Sequence, residues 1–198
     1  QKYGRRHITG NNMLDVFVFE NFYENPDEVR EYALNQTFNI EGNYPGWRTK
    51  PAVPEQSEKL KNFIQEKIIG EEITHWPEEY NTAYQYTDKD CVTWVHHDAT
   101  EWAGVVYLTP NAPVDSGTSI YRLKETGVYQ WNPDDDSTDY NNGEVPRDIT
   151  KWEEILSVGN IYNRLVIYKG TYYHRSKIPG FGNGKEDGRL FQTFFFDT

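Results

Sequence analysis

The first regular pattern along the chain is Leu14-Asp15-Val16-Phe17-Val18-Phe19, a run rich in β-branched and aromatic residues that predicts a strand. Two helices follow it. Asn25 stands as an N-cap, Pro26 takes the first helical position, and Asp27 and Glu28 put negative charge where the helix dipole favours it. Over residues 55–69, Leu60, Phe63, Ile64 and Ile68 recur at helical spacing as one apolar stripe, which stops at Gly70. Beyond it the texture changes to short apolar runs between turn residues, predicting strands at 82–87, 91–97, 103–108, 118–123, 127–131, 161–168 and 188–196. Strands at that spacing argue for a sandwich or barrel rather than βαβ units. Residues 132–150, with Asp134-Asp135-Asp136 and Asn141-Asn142-Gly143, are poor in aliphatic side chains and read as a solvated loop or a mobile lid. Thr150 with Glu153 forms a capping box, which predicts a short helix burying Trp152, Ile155 and Leu156.

Composition narrows the possibilities. A chain of 198 residues supports one domain with a real core, residues 1–80 supplying a strand and supporting helices and 81–198 the β core. The 20 basic and 31 acidic residues give a net charge of −11, which disfavours nucleic acid and strongly acidic targets. Cys91 is the only cysteine, so no disulfide forms within the chain, and it reads as a small buried hydrophobe. No apolar run approaches the roughly 20 residues that span a bilayer, and Gln1–Arg6 lacks the apolar stretch of a signal peptide; a cytoplasmic location is expected. Aromatic residues make up 16% of the chain, enough to line a β core.

Candidate chemistry centres on His96-His97-Asp98. On a strand, positions i and i+2 share a face, so His96 and Asp98 can converge on one metal ion while His97 points away. His174, after the β-rich run Arg164–Tyr168, would complete two imidazoles and one carboxylate, the ligand set of a non-haem ferrous site with open positions. A surface His–Asp pair is the plainer reading of the triplet. His7 and His75 have no constellation around them. Trp94, Trp102, Tyr121, Tyr129 and Trp131 read as core packing before pocket lining.

The order of the remaining pieces sharpens this. After the His-x-Asp triplet come Asn163–Tyr168, then Tyr173-His174-Arg175-Ser176, then Gly188–Phe196. Taken together, roughly residues 80–198 resemble the iron(II)- and 2-oxoglutarate-dependent dioxygenase superfamily, in particular its prolyl-hydroxylase-like branch. The resemblance implies a mainly β fold with flanking helices, a double-stranded β-helix or jelly roll. It implies His96, Asp98 and His174 as Fe(2+) ligands, Arg189 as the partner of the distal carboxylate of 2-oxoglutarate, and Tyr86 as a phenol bonding that same carboxylate. Val105–Pro110 and Ser116-Gly117-Thr118 look like the family's Tyr-Leu strand and its turn, which often shows two glycines where this chain has Ser116-Gly117. Arg175 and Ser176 are candidates to border the site. The expected activity is hydroxylation of a C–H bond in an amino-acid, peptidyl or small-molecule substrate, using dioxygen and releasing succinate and CO2. The competing reading is a cupin-like jelly roll that binds metal without an oxo-acid, either non-catalytic or running another chemistry.

Overall fold

Side-chain alternation along the longest strand organises the molecule. The computed structural model describes residues 13–177 and 180–198. In β9 (Arg189–Phe196), Arg189, Phe191, Thr193 and Phe195 point to one side and Leu190, Gln192, Phe194 and Phe196 to the other, and nearly all are buried. A strand apolar on both faces must be covered on both, and it is. β9 lies inside a six-stranded antiparallel sheet in the order β1-β7-β4-β9-β3-β2, with β1 Val16–Phe19, β2 Trp47–Arg48, β3 Tyr84–Thr87, β4 Trp102–Tyr107 and β7 Leu165–Lys169.

Two helices cover the outer face. α1 (Pro26–Leu34) starts at Asn25 and Pro26 and buries Ala33 against Tyr84, Leu108 and Leu190. α2 (Pro54–Ile64) continues as a π-helical turn, Gln65–Ile69, and ends at Gly70 with φ 75°, the left-handed conformation that glycine adopts without strain. Its Ile64 packs with Phe22, Ile167, Phe194 and Phe196. The inner face meets a three-stranded sheet in the order β6-β5-β8, formed by β5 Thr118–Leu123, β6 Trp152–Val158 and β8 His174–Ser176. Ile120, Val158, Tyr107, Tyr168 and Phe191 fill the space between the sheets. No described helix is long and apolar enough to cross a membrane.

Two local expectations fail for identifiable reasons. The capping box at Thr150 and Glu153 does not start a helix. Asp148 accepts from the Thr150 backbone N–H at 3.1 Å, which closes a single 3-10 turn over Ile149–Lys151. Glu153 is drawn across to Arg122 on β5 at 2.6 Å, and the chain from Trp152 runs as β6. Segments 91–97 and 127–131 form no continuous strand; each touches its neighbour through one isolated bridge, His96 with His174 and Gln130 with Tyr172. Residues 132–150 contribute nothing to the cavity described below. They pack Tyr140, Val145 and Ile149 against the reverse of the small sheet.

Candidate metal centre

The isolated bridge between His96 and His174 is what brings the two imidazoles together. Their backbones exchange both hydrogen bonds, at 3.0 and 2.8 Å, and the rings stand 4.5 Å apart between centroids. Asp98 is fixed by its N–H bonding Gly170 O at 2.7 Å, an approach only glycine permits, because a Cβ on residue 170 would sit 2.3 Å from Thr100 O. His174 Nε2 lies 3.2 Å and His96 Nε2 3.9 Å from the Asp98 carboxylate oxygens, and one donor atom from each residue falls within 4.8 Å of the others.

Both rings are oriented alike. His96 Nδ1 is 3.1 Å from Trp94 O, and His174 Nδ1 is 2.7 Å from Tyr172 O. A carbonyl oxygen only accepts, so each Nδ1 carries a proton, and Nε2 is the ring nitrogen that each residue turns toward Asp98. Burial, reinforced by His174, pushes the His96 imidazole down to about 4, which keeps it neutral and able to coordinate at neutral pH. Burial alone would raise the Asp98 carboxyl, but His174 and His96 outweigh it and hold the group below its ordinary value. Two imidazoles and one carboxylate on one side of a cavity suit a ferrous ion with positions left open.

His97 points the other way, as the alternation predicts. Its ring stacks on Trp131 at 4.3 Å and reaches Asp139 Oδ1 at 3.3 Å. Its backbone exchanges two 2.9 Å hydrogen bonds with the Asn141 side chain. The polar excursion 132–150 therefore braces the back of the triplet.

The donors open into a cavity of about 320 Å³ between the sheets. Arg189 lies in its wall, 4% exposed. Its Nε donates to Ser116 O at 3.1 Å and its Nη2 to Thr118 Oγ1 at 3.3 Å, and the guanidinium sits 4.4 Å over the Phe191 ring. No Asp or Glu among the described residues pairs with it. Burial accordingly pulls its pKa below the ordinary value. Gly117 in the supporting turn is required by space, since a Cβ there would fall 1.8 Å from Val158 O.

Tyr86 is not at this site. Register pairs Tyr86 with Leu190 and Trp47 on the outer face of the large sheet, and its ring stacks on Trp47 at 4.7 Å. Its neighbour Gln85 faces the cavity instead. Of the phenols that do line it, Tyr44, Tyr80 and Tyr168, the one beside the metal donors is Tyr168 on β7, 4.7 Å from the His174 ring, with its pKa driven well above the usual range, first by burial and then by Asp98. Tyr168 is thus a hydrogen-bond donor facing the cavity. It shares inner-face parity with Val166, a signal present in the sequence. Arg48 also lines the cavity and carried no sequence signal, because β2 is too short to show a period.

Ser176 borders the cavity. Arg175 also touches it, although its guanidinium lies 5.5 Å over Tyr121, on the face of β8 opposite His174. Trp102 and Tyr121 are buried in the core, Tyr129 and Trp131 pack partly against it, and Trp94 stands 6.3 Å from His96; none of the five lines the cavity. Cys91 is half-buried. His75 exchanges backbone bonds with Asp197, and His7 lies outside the described residues.

Two antiparallel sheets facing each other with this cavity between them define the double-stranded β-helix class, the architecture of the iron(II)- and 2-oxoglutarate-dependent oxygenases. By sequence the chain belongs to DUF6445, described as a family of unknown function, whose model matches residues 2–196. No curated protein matches it. Among solved structures, HygX from Streptomyces hygroscopicus, with nickel, 2-oxoglutarate and hygromycin B bound, is 13% identical, covering 92% of this chain and 82% of that one at a TM-score of 0.56. A Pseudomonas putida prolyl-4-hydroxylase is 12% identical, covering 93% and 94% at 0.51. A prolyl hydroxylase in complex with a hypoxia inducible factor oxygen degradation domain peptide, from Trichoplax adhaerens, is 14% identical, covering 94% and 85% at 0.51.

Proposed function

We propose that this protein is an iron(II)- and 2-oxoglutarate-dependent dioxygenase that hydroxylates a C–H bond of an amino-acid, peptidyl or small-molecule substrate, with succinate and CO2 as co-products. The observation that carries the reading is Arg189, a buried guanidinium without a carboxylate partner in the same cavity as the His96, Asp98 and His174 donors. Such a charge is costly unless an anion completes it, and a planar fork fits a carboxylate. Bound iron, with the oxo-acid and dioxygen, supplies the oxidising power. The protein's own residues do the rest. His96, Asp98 and His174 hold the ion from one side, Arg189 fixes the far carboxylate of 2-oxoglutarate, and the Tyr168 hydroxyl donates a hydrogen bond from the neighbouring strand.

The fold shared with HygX and the prolyl hydroxylases supports the same reading, since HygX was solved with 2-oxoglutarate and hygromycin B and the Trichoplax adhaerens prolyl hydroxylase with a peptide fragment. A cytoplasmic setting belongs to this proposal, because ferrous iron and the lone Cys91 both suit reducing conditions. The test is succinate formation by anaerobically iron-loaded protein, on admission of oxygen, across a panel of peptides, amino acids and small molecules. Release that depends on 2-oxoglutarate and is lost in His174→Ala is expected. Metal binding with no 2-oxoglutarate-dependent succinate would instead establish the cupin-like alternative.

A further inference from the structure

We infer that Arg48 forms an anion subsite for the substrate, so that the molecule hydroxylated carries a free carboxylate; this rests on the oxygenase reading above. Arg48 faces Gln85 across β2 and β3, on the inner side of the sheet, and lines the same cavity as the metal donors. It is held rather than floating. Its Nε and Nη2 donate to Gln85 Oε1 at 3.0 and 2.6 Å, its guanidinium lies 3.7 Å over the Tyr44 ring, and Gln85 is itself anchored through Nε2 to Pro45 O at 2.6 Å. Gly46 makes this fold-back possible, because a Cβ there would meet Tyr86 O at 2.0 Å. Two of the five guanidinium donors are thereby used to aim the group, while Nη1 makes no hydrogen bond among the described residues. Arg48 is half-buried and pairs with no carboxylate there, and burial lowers its pKa.

Charge balance identifies the missing partner. A divalent ion and the Arg189 guanidinium are matched by Asp98 and the two carboxylates of 2-oxoglutarate. Arg175 turns its guanidinium to Tyr121 on the opposite face of β8, so Arg48 is the cation left over on the cavity side. One further negative charge neutralises it, which a carboxylate supplies and a phosphate dianion exceeds. The neighbouring rim is neutral, formed by Asn43, Tyr44, Tyr80 and Thr100, so discrimination falls to the guanidinium. The bulk charge of −11 would otherwise repel such a molecule, and a preset fork at the cavity wall overcomes that locally.

Calorimetry on protein loaded with nickel in place of iron, which prevents turnover, tests this with N-acetyl amino acids offered as free acids and as the matching amides. With 2-oxoglutarate saturating, free acids should bind about tenfold or more tightly than amides, the discrimination expected of a charge-assisted hydrogen bond. Arg48→Gln should abolish that preference with 2-oxoglutarate affinity unchanged, and Arg48→Lys should restore part of it. Equal binding of acids and amides, no measurable binding of any acid, or a preference that survives in Arg48→Gln would each overturn the subsite. Failure of 2-oxoglutarate itself to bind would count against the oxygenase reading alone, because the acid–amide difference between parent and Arg48→Gln can still be read on the nickel-loaded protein.

Discussion

Replacing Arg189 by Met removes the charge while keeping a long apolar stem against Phe191 and Tyr107, and its consequences for stability and for binding should diverge. In the metal-free protein the guanidinium makes one hydrogen bond of ordinary length, to Ser116 O at 3.1 Å, and longer ones of 3.3 and 3.5 Å to Thr118 Oγ1 and Gly117 O. Hydrogen bonds to a charged group contribute about 1.5–3 kcal/mol at good geometry and less when long, whereas withdrawing the charge from water costs several kcal/mol. The two effects nearly offset, so the unloaded variant should unfold within about 1 kcal/mol of the parent, against the roughly 3–5 kcal/mol expected for breaking a buried Arg–carboxylate pair. The ligand equilibrium should behave differently. Truncating one member of a buried charge pair costs about 2–5 kcal/mol, equivalent to a loss of about 30-fold to several thousand-fold in 2-oxoglutarate affinity. Urea unfolding of the metal-free proteins measures the first quantity and calorimetric titration of 2-oxoglutarate into the metal-loaded proteins the second. A ligand concentration about 100 times the parent Kd adds about 2.7 kcal/mol to parent stability and should add at most about 0.9 kcal/mol to the variant. Equal 2-oxoglutarate affinities in the two proteins, or a large loss of stability in the unloaded variant, would show that Arg189 serves the fold and not an anion.

Two other outcomes follow from the geometry. Tyr168→Phe should weaken 2-oxoglutarate binding by about 3- to 10-fold, the worth of one hydrogen bond, while Tyr86→Phe leaves it unchanged; the reverse order in a titration would return the role to Tyr86. Asn141→Ala strips both backbone bonds from His97, between two ligands, and should lower metal affinity by about 10- to 100-fold, as losses behind a metal shell do. A metal titration with competing chelator reads that effect, and an unchanged affinity would reduce 132–150 to a passive excursion.

What could be read from the chain alone tracks how local the determining physics is. The triplet at 96–98 was legible because strand alternation depends only on neighbouring residues, and it placed His96 and Asp98 together and His97 apart. The limits of β5, Thr118–Leu123, came directly from its apolar run. β6 did not, because its character is decided by partners far away. Arg122 claims Glu153, and a register shift at Ile120 and Tyr121 blurs the period of the pair. That Tyr168 faces the cavity and Tyr86 does not depends on which face of the large sheet meets the small one, and that is fixed only when α1 and α2 cover the opposite side. Arg48 sits in a two-residue strand that exists only because β3 is there to pair with it.

Charge shows the same limit more sharply. A net −11 summed over the chain says that the molecule as a whole repels anions, and over distances beyond a Debye length, about 8 Å at physiological salt, even that weakens. Inside the cavity the balance is inverted. Among the described residues Asp98 is its only acidic wall residue, it is available to a metal, and the guanidinium groups of Arg189 and Arg48 face the space without carboxylates, while that of Arg175 lies over Tyr121. A buried cation acts through a low-dielectric path that salt screens poorly, so Arg189 and Arg48 govern what binds although the surface outnumbers them. Selectivity of this kind depends on placement and not on composition. The placement comes from β9, which sets Arg189 at its first inner-facing position, and from Gly46, which lets β2 return close enough to β3 to aim Arg48 at the same space.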